Sequence, residues 1–372
     1  MTEPNADLLP EGLEDRLPRD AAATTRVMRS IQDVMHGHGY DRVLPPMIEF
    51  EKSLASRMDG INQRRMFRFV DPASLRMMAL RSDHTPQIGR IAETRLAAAP
   101  RPLRLCYAGQ VLTIKGDGLD PARERLQCGA ELIGADNVAA ACEIVSIAIE
   151  ALQAGGAHGV SVDFTLPDLV DTLATKAFPL EPQQIEAVRR ELDTKDAGGL
   201  VDAGGEAYVP LLYATGDFGT AIEKLSAIDA GGALASRITA LREIAATLGG
   251  TARLTLDPSE RHGFEYQSWL GFTLYAEGVR GALGRGGTYR IAGSGEGEAA
   301  TGFSLYPDAL IALIAGTEQP QDCVFLPLGH DRETAARLRS IGWRTVAALG
   351  ASDSAAALGY THVLEGGDPV RL

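Results

Sequence analysis

The chain has few cysteines and fewer basic than acidic residues. Its four cysteines, among 372 residues, include no C-x-x-C pair, which argues against a zinc knuckle or a disulfide framework and predicts a reducing, cytoplasmic compartment. With 36 Lys and Arg against 49 Asp and Glu, the formal net charge is −13, so no overall positive field attracts a nucleic acid. The histidines show no H-E-x-x-H spacing, and we expect no metal site.

Long apolar runs are also missing. The acidic N-terminus has neither the basic nor the apolar block of an export signal. The most apolar stretch, Ala139 to Leu152, is interrupted by Glu143 and Glu150 and is shorter than the ~20 residues that span a bilayer. We therefore expect no membrane partner. The 45% apolar content predicts a folded chain, and its length predicts two domains or one domain with an insertion.

The pattern of residues predicts an α+β fold with an antiparallel sheet flanked by helices. Apolar residues at helical spacing predict a helix over Ala21–Gly39, and a second helix is predicted from Asp136, as its N-cap, to Gly155. The glycines of GALGRGGTYR predict a turn. Strands are predicted at Tyr40–Phe50, Met66–Val70, Ser74–Leu80, Leu103–Ile114, Arg125–Ile133, Ala252–Leu256 and Trp269–Ala276.

Composition changes twice along the chain. A mainly helical insertion is predicted at about residues 165–250, inside a large domain over residues 1–320. The last segment, residues 321–372, alternates strand and helix signals, and we expect a short α/β tail.

Several polar side chains stand where the strand pattern predicts a common site. Gln127 and Glu131 are four apart in one strand, so both project from one face, which is either a solvated face or a ligand site. In LRSDHT, a carboxylate and a hydroxyl at a strand end are suited to a ligand ammonium. RHGFEY and GGTYR add phenols and cations. Together these segments suit a small zwitterion with a hydrogen-bonding ring; the candidate residues are Asp83, Thr85, Gln127, Glu131, Tyr289, Arg261 and Tyr266.

In order and spacing, these segments resemble histidyl-tRNA synthetase, a class II aminoacyl-tRNA synthetase. HGYDRVLPPMIEFE is similar to the first class II motif, ERLQCGAELIG to the end of the second, and ATGFSLYPDAL to the third. LRSDHT resembles the family's L-R-P-E-G-T, while RHGFEY and GGTYR stand at its two histidine-specific motifs. The resemblance covers about residues 8 to 315.

Two departures bear on function. At the positions where the synthetases have an arginine for the α-phosphate of ATP and one for the nucleotide, this sequence has Thr113 and Ala309. Losing a fixed donor to developing charge commonly costs roughly 3–4 kcal/mol. The C-terminal anticodon-binding domain is also reduced to the short tail. The chain thus resembles the regulatory subunits of ATP phosphoribosyltransferase, a family of non-catalytic synthetase relatives.

That resemblance implies an effector and a partner. Asp83 matches the residue that binds the α-ammonium of histidine, with Thr85 and Gln127 beside it, and Glu131 matches the acid facing the imidazole. The two histidine-specific motifs supply the remaining candidates, which are Tyr289, Arg261 and Tyr266. A shifted alignment of RHGFEY would place His262 at the position of Arg261 and Gln267 at that of Tyr266.

The expected partner is the short catalytic subunit of ATP phosphoribosyltransferase, with this chain dimeric in a hetero-octamer and with no tRNA and no cofactor of its own. The alternatives are an active histidyl-tRNA synthetase and a stand-alone histidine sensor.

Overall fold

The computed structural model describes residues 8–55, 66–116, 121–261, 266–292, 297–317 and 322–372. The chain divides into two compact units, Met1–Ala315 and Gly316–Leu372. No described helix combines the length and the apolar character needed to cross a bilayer.

A nine-stranded sheet forms the centre of the first unit. Its strand order is β1-β5-β6-β12-β11-β10-β7-β9-β8, and a separate three-stranded sheet has the order β2-β4-β3. Neighbouring strands of the large sheet are antiparallel except for the pairs β1–β5 and β7–β9. The strands are β1 Asp41–Arg42, β2 Ile48–Phe50, β3 Arg68–Val70, β4 Met77–Leu80, β5 Leu103–Leu112, β6 Glu124–Ile133, β7 Ser161–Thr165, β8 Gly216–Asp217, β9 Arg253–Leu256, β10 Gln267–Tyr275, β11 Gly284–Ile291 and β12 Glu298–Leu305.

Helices pack on this sheet, and most of the chain that connects β7 to β9 in sequence is helical. Val27 and Ile31 of the first helix pack with Ile144 and Ala148 of the fourth in one continuous apolar core, as their helical spacing requires. Two 3-10 segments, Glu206–Tyr213 and Ala230–Gly232, accompany the helices between β7 and β9. The helices are α1 Pro18–Gly37, α2 Glu51–Ala55, α3 Thr85–Thr94, α4 Val138–Ala154, α5 Leu169–Lys176, α6 Pro182–Asp193, α7 Ala197–Asp202, α8 Phe218–Ile228, α9 Ala235–Leu248 and α10 Asp308–Thr317.

The predicted strand over Tyr40–Phe50 is wrong as a single element. It is two short strands that join different sheets: β1 pairs with β5, whereas β2 pairs with β4. Pro45 and Pro46 lie between them, and because neither has an N–H, this stretch cannot form a continuous ladder.

The predicted turn at GALGRGGTYR is also wrong, because most of it is β11, an interior strand of the large sheet. A β-carbon on Gly286 would lie 2.4 Å from Cζ of Phe272 and 2.5 Å from the carbonyl oxygen of Gly302. The glycines therefore make room for side chains of the neighbouring strands rather than for a turn.

Two helix starts differ from the sequence predictions. The side chain of Asn137, not Asp136, caps α4 by accepting a hydrogen bond of 3.0 Å from the Ala140 N–H. Helix α3, which begins at Thr85, is not predicted at all from the sequence. It covers the part of the sheet where the candidate residues lie.

The second unit contains one small sheet and one helix. Its strands are β13 Cys323–Leu326, β14 Arg344–Ala347, β15 His362–Glu365 and β16 Asp368–Arg371, in the order β14-β13-β15-β16, with α11 Arg332–Ser340. Val324 and Leu338 pack in its core.

Candidate functional site

Strand β6 provides the two central polar residues of the candidate site. Gln127 and Glu131 lie four residues apart and on one face, and both are almost fully buried, at 0% and 1% exposure. The solvated-face interpretation of this pair is therefore wrong. Buried polar side chains are costly unless they have partners, so the surrounding hydrogen bonds decide what the pair can do.

Hydroxyl groups from three elements surround the Glu131 carboxylate. The Thr85 hydroxyl, at the start of α3, donates to Oε1 at 3.0 Å, and the Tyr289 hydroxyl of β11 donates to Oε2 at 2.6 Å. The Tyr107 hydroxyl of β5 lies 3.4 Å from Oε1. On the fourth side lies Gly302 of β12, which has no side chain. The Glu131 carboxylate occupies the space that a β-carbon at this position would fill.

Burial raises the pKa of Glu131 to about 8, and the hydroxyl hydrogen bonds oppose this rise only in part. The nearby Asp83 carboxyl also raises it. Glu131 forms no ion pair with any residue that the structure describes. A cation bound at this carboxylate would therefore supply a charge that the described protein does not provide.

Asp83 is the second carboxylate of the site and lies just before α3. Its Oδ1 accepts hydrogen bonds from the Thr85 N–H at 2.8 Å and from the Gln127 amide nitrogen at 3.1 Å. Burial raises its pKa, and these hydrogen bonds oppose the rise. Asp83 remains partly exposed, so solvent or a ligand can reach it.

Four further residues of the site were missed by sequence reasoning: His84, Tyr107, Ser304 and Tyr306. The His84 ring stacks on Tyr107, with centroids 4.8 Å apart. Ser304 and Tyr306 accept hydrogen bonds from the Gln127 amide at 3.0 and 3.2 Å. For Tyr107 and Ser304 a signal exists, because the two-residue period of β5 and β12 places them on the same face as Gln127 and Glu131.

The two predicted tyrosines lie at this site. Tyr266 contacts Tyr289 edge to face, with ring centroids 6.0 Å apart and planes at 85°. Burial raises the pKa of both phenols well above 10, so both remain neutral hydrogen-bonding groups at neutral pH. Gln267, the alternative to Tyr266 in the shifted register, pairs with Tyr289 across β10 and β11.

Arg261 does not join this cluster through any contact among the described residues. Its backbone N–H donates to Oδ1 of Asp193 at 2.8 Å, and it lines a small cavity with Pro167, Arg189 and Leu192. His262, its alternative in the shifted register, lies outside the described residues.

The structure shows both positions at which the synthetases have an arginine and this chain does not. The Thr113 N–H donates to the carbonyl oxygen of Arg123 at 2.8 Å, and Ala309 is exposed near the start of α10. Arginines lie close by: the guanidinium of Arg123 is 4.8 Å from the centroid of the Phe67 ring, and that of Arg125 is 4.9 Å from the centroid of Tyr306. Cationic side chains thus remain at this end of β6.

The cluster contains two carboxylates, an amide and several phenols, and within the described ranges no group of three or more His, Cys, Asp or Glu side chains is placed to hold a metal ion. Such a set can bind a small cation that also carries hydrogen-bonding groups.

Comparisons with known proteins identify the family. The family model for histidyl-tRNA synthetase matches residues 12–310. A protein from Rhodospirillum centenum called ATP phosphoribosyltransferase regulatory subunit is 44% identical, over 98% of this chain and 96% of its own length. The chain belongs to this regulatory subunit family. A second member, from Paramagnetospirillum magneticum, is 43% identical over 94% of this chain and 93% of its own length.

Solved structures show that this chain shares its fold with histidyl-tRNA synthetases. A structure described as an ATP phosphoribosyltransferase regulatory subunit/histidyl-tRNA synthetase from Bacillus halodurans has a TM-score of 0.82, at 21% identity, over 98% of this chain and 99% of its own. Histidyl-tRNA synthetase from Nostoc has a TM-score of 0.79, at 16% identity, over 97% and 91% of the two chains. The predicted class II synthetase-like α+β fold is therefore confirmed.

Proposed function

We propose that this chain is a non-catalytic regulatory subunit of ATP phosphoribosyltransferase that binds histidine between Asp83 and Glu131 and relays its presence to the catalytic subunit. The supporting observation is the pair of buried or partly buried carboxylates, neither of which forms an ion pair with a described residue. Histidine carries an ammonium group and an imidazole, so it supplies hydrogen-bond donors to both carboxylates.

Each end of the ligand has a defined place in this proposal. Asp83 accepts the α-ammonium, and its side chain is one methylene shorter than the glutamate of the family motif, so a water molecule fills the remaining gap. Glu131 accepts from the imidazole, and Tyr289 and Thr85 hold that carboxylate in place.

The partner is the short-form catalytic subunit, which joins ATP to phosphoribosyl pyrophosphate in the first step of histidine biosynthesis. This chain forms dimers within a hetero-octamer in the cytoplasm and uses no cofactor of its own. Histidine favours the arrangement in which the catalytic subunit is slow, through a coupling free energy of roughly 1–3 kcal/mol.

Mixing the two subunits tests this proposal. We expect phosphoribosyl transfer by a short-form catalytic subunit to rise when this chain is added and to fall again with histidine, because occupancy of the site is coupled to the partner. The catalytic subunit alone is the control. An unchanged rate on adding this chain contradicts the proposal, and histidine binding without any effect on transfer indicates a stand-alone sensor.

An active histidyl-tRNA synthetase is the second candidate, because Arg123, whose carbonyl oxygen accepts from the Thr113 N–H, and Arg125 keep cationic side chains at this end of β6. We expect no histidine-dependent exchange of pyrophosphate into ATP, since the arginines expected at positions 113 and 309 are missing. Exchange above the level of a Glu131→Gln control would support the synthetase.

A further inference from the structure

Two hydrogen bonds from His84 set the orientation of the Gln127 amide, and the first comes from the backbone. The backbone N–H of His84 can only donate, and its nitrogen lies 2.9 Å from the side-chain oxygen of Gln127. The amide nitrogen of Gln127 therefore points the other way, to Oδ1 of Asp83 at 3.1 Å and Oγ of Ser304 at 3.0 Å. Gln127 is thus a donor toward the site.

The imidazole of His84 reinforces this orientation. Its Nδ1 lies 2.8 Å from the same Gln127 oxygen, so Nδ1 carries the hydrogen. Burial and the neighbouring Arg81 guanidinium lower the pKa of His84 to about 4, which keeps the ring neutral at neutral pH. The ring has no exposed surface, and its plane lies 13° from that of Tyr107, on which it stacks. Its position is therefore fixed by packing as well as by hydrogen bonding.

We propose that His84 is a positioning residue that locks the Gln127 amide, so that Gln127 donates to the Asp83 carboxylate and holds it in place to accept a ligand ammonium. The identity of that ligand rests on the proposed function. Gln127 itself does not bind the ammonium, since its oxygen already accepts two N–H groups from His84.

The physical reason is the cost of the opposite orientation. If the amide rotated, its oxygen would face Oδ1 of Asp83, and two acceptors would stand where a hydrogen bond now exists. The charged form of Asp83 would lose a donor, so the pKa of Asp83 would rise and its affinity for an ammonium would fall. Glycine, which the family's L-R-P-E-G-T has at this position, supplies the backbone donor but no ring donor.

A matched pair of substitutions separates the hydrogen bond from the packing. His84→Phe keeps a ring against Tyr107 but removes the Nδ1 donor, whereas His84→Asn restores a donor at nearly the same place. His84→Phe keeps the backbone donor and loses the ring donor, so we expect it to weaken histidine binding by about five- to tenfold, and His84→Asn by less than about threefold, in calorimetric titrations. His38→Leu, whose side chain contacts Glu150 at the surface, is the control and should bind like wild type.

A second readout needs no ligand. In ligand-free protein, the ¹³C shift of the Asp83 carboxyl should report a higher pKa in His84→Phe than in wild type, with His84→Asn close to wild type. If His84→Phe fails to fold, His84→Leu takes its place, because it also removes the ring donor and adds no charge; the same rise in pKa is expected.

The outcomes separate this inference from the proposed function. An unchanged Asp83 pKa in the donor-free variant, or an Asn variant as impaired as the Phe variant, overturns the role of His84. If wild-type protein does not bind histidine but the Asp83 pKa still rises in His84→Phe, the proposed function fails and the role of His84 stands.

Discussion

Glu131→Gln is expected to weaken histidine binding strongly and yet make the ligand-free protein more stable at pH 8. Removing one partner of a buried charged hydrogen bond commonly costs several kcal/mol, so we expect histidine affinity to fall by about 100-fold or more. Without ligand, the same carboxylate is an uncompensated buried charge. Glutamine is neutral, and the surrounding hydroxyls of Tyr289 and Thr85 can donate to its oxygen and accept from its nitrogen.

The sign of the pH dependence follows from the direction of the pKa shift. The pKa of Glu131 rises from 4.5 to about 8 on folding, so the folded state holds a proton that the unfolded state has released between these values. Its contribution to stability is complete below about pH 4.5 and is lost as the pH rises through 8. The stability gained by the glutamine variant should therefore grow with pH and level off above pH 8, at about 3–5 kcal/mol.

Thermal unfolding of both proteins between pH 5 and 9, with and without histidine, measures this effect. Saturating histidine should stabilise only wild type, so the order of melting temperatures at pH 8 should reverse when histidine is added. Glu143→Gln is the matched control: hydrogen bonding and charge from Arg104 lower the pKa of Glu143, so its loss should destabilise at neutral pH and leave histidine affinity unchanged. If Glu131→Gln is less stable than wild type at pH 8, the raised pKa of Glu131 is contradicted.

Local sequence patterns predict the strand that carries Gln127 and Glu131 but not the helix that covers them. Gln127 and Glu131 share a face because of the two-residue period of β6, which any strand imposes. Their burial depends on α3, where Thr85 stands, and this helix has only ten residues and contains Gly89, so its length and propensity do not favour it. The strand pattern alone therefore does not show whether this face is buried, and so it does not decide between a solvated face and a ligand site.

The interior glycines and His84 show a second limit of prediction from local sequence. Gly286 reads locally as a turn residue, yet it is required because a ring from the next strand occupies the space of a β-carbon. The role of His84 likewise depends on Gln127, a residue 43 positions away. Both depend on contacts between distant parts of the chain, which local propensity does not contain.

Gly302→Ala is expected to remove the histidine site through steric conflict. A β-carbon at this position would lie 1.7 Å from Oε2 of Glu131 and 2.9 Å from the carbonyl oxygen of Ala130. The carboxylate would have to leave the Tyr289 hydroxyl, which it contacts at 2.6 Å, and β6 and β12 would have to separate slightly. We expect histidine affinity to fall by about 100-fold and the free energy of unfolding to fall by about 1–3 kcal/mol.

A double-mutant cycle shows where that cost arises. In a Glu131→Ala background the conflicting carboxylate is gone, so adding Gly302→Ala should destabilise the chain much less than it does in wild type. Gly37→Ala is the control, because a β-carbon there meets no atom within 4 Å, and its stability and histidine affinity should match wild type. Equal costs of Gly302→Ala in both backgrounds would place the conflict at the Ala130 backbone, and Glu131 would then not depend on the glycine for its position.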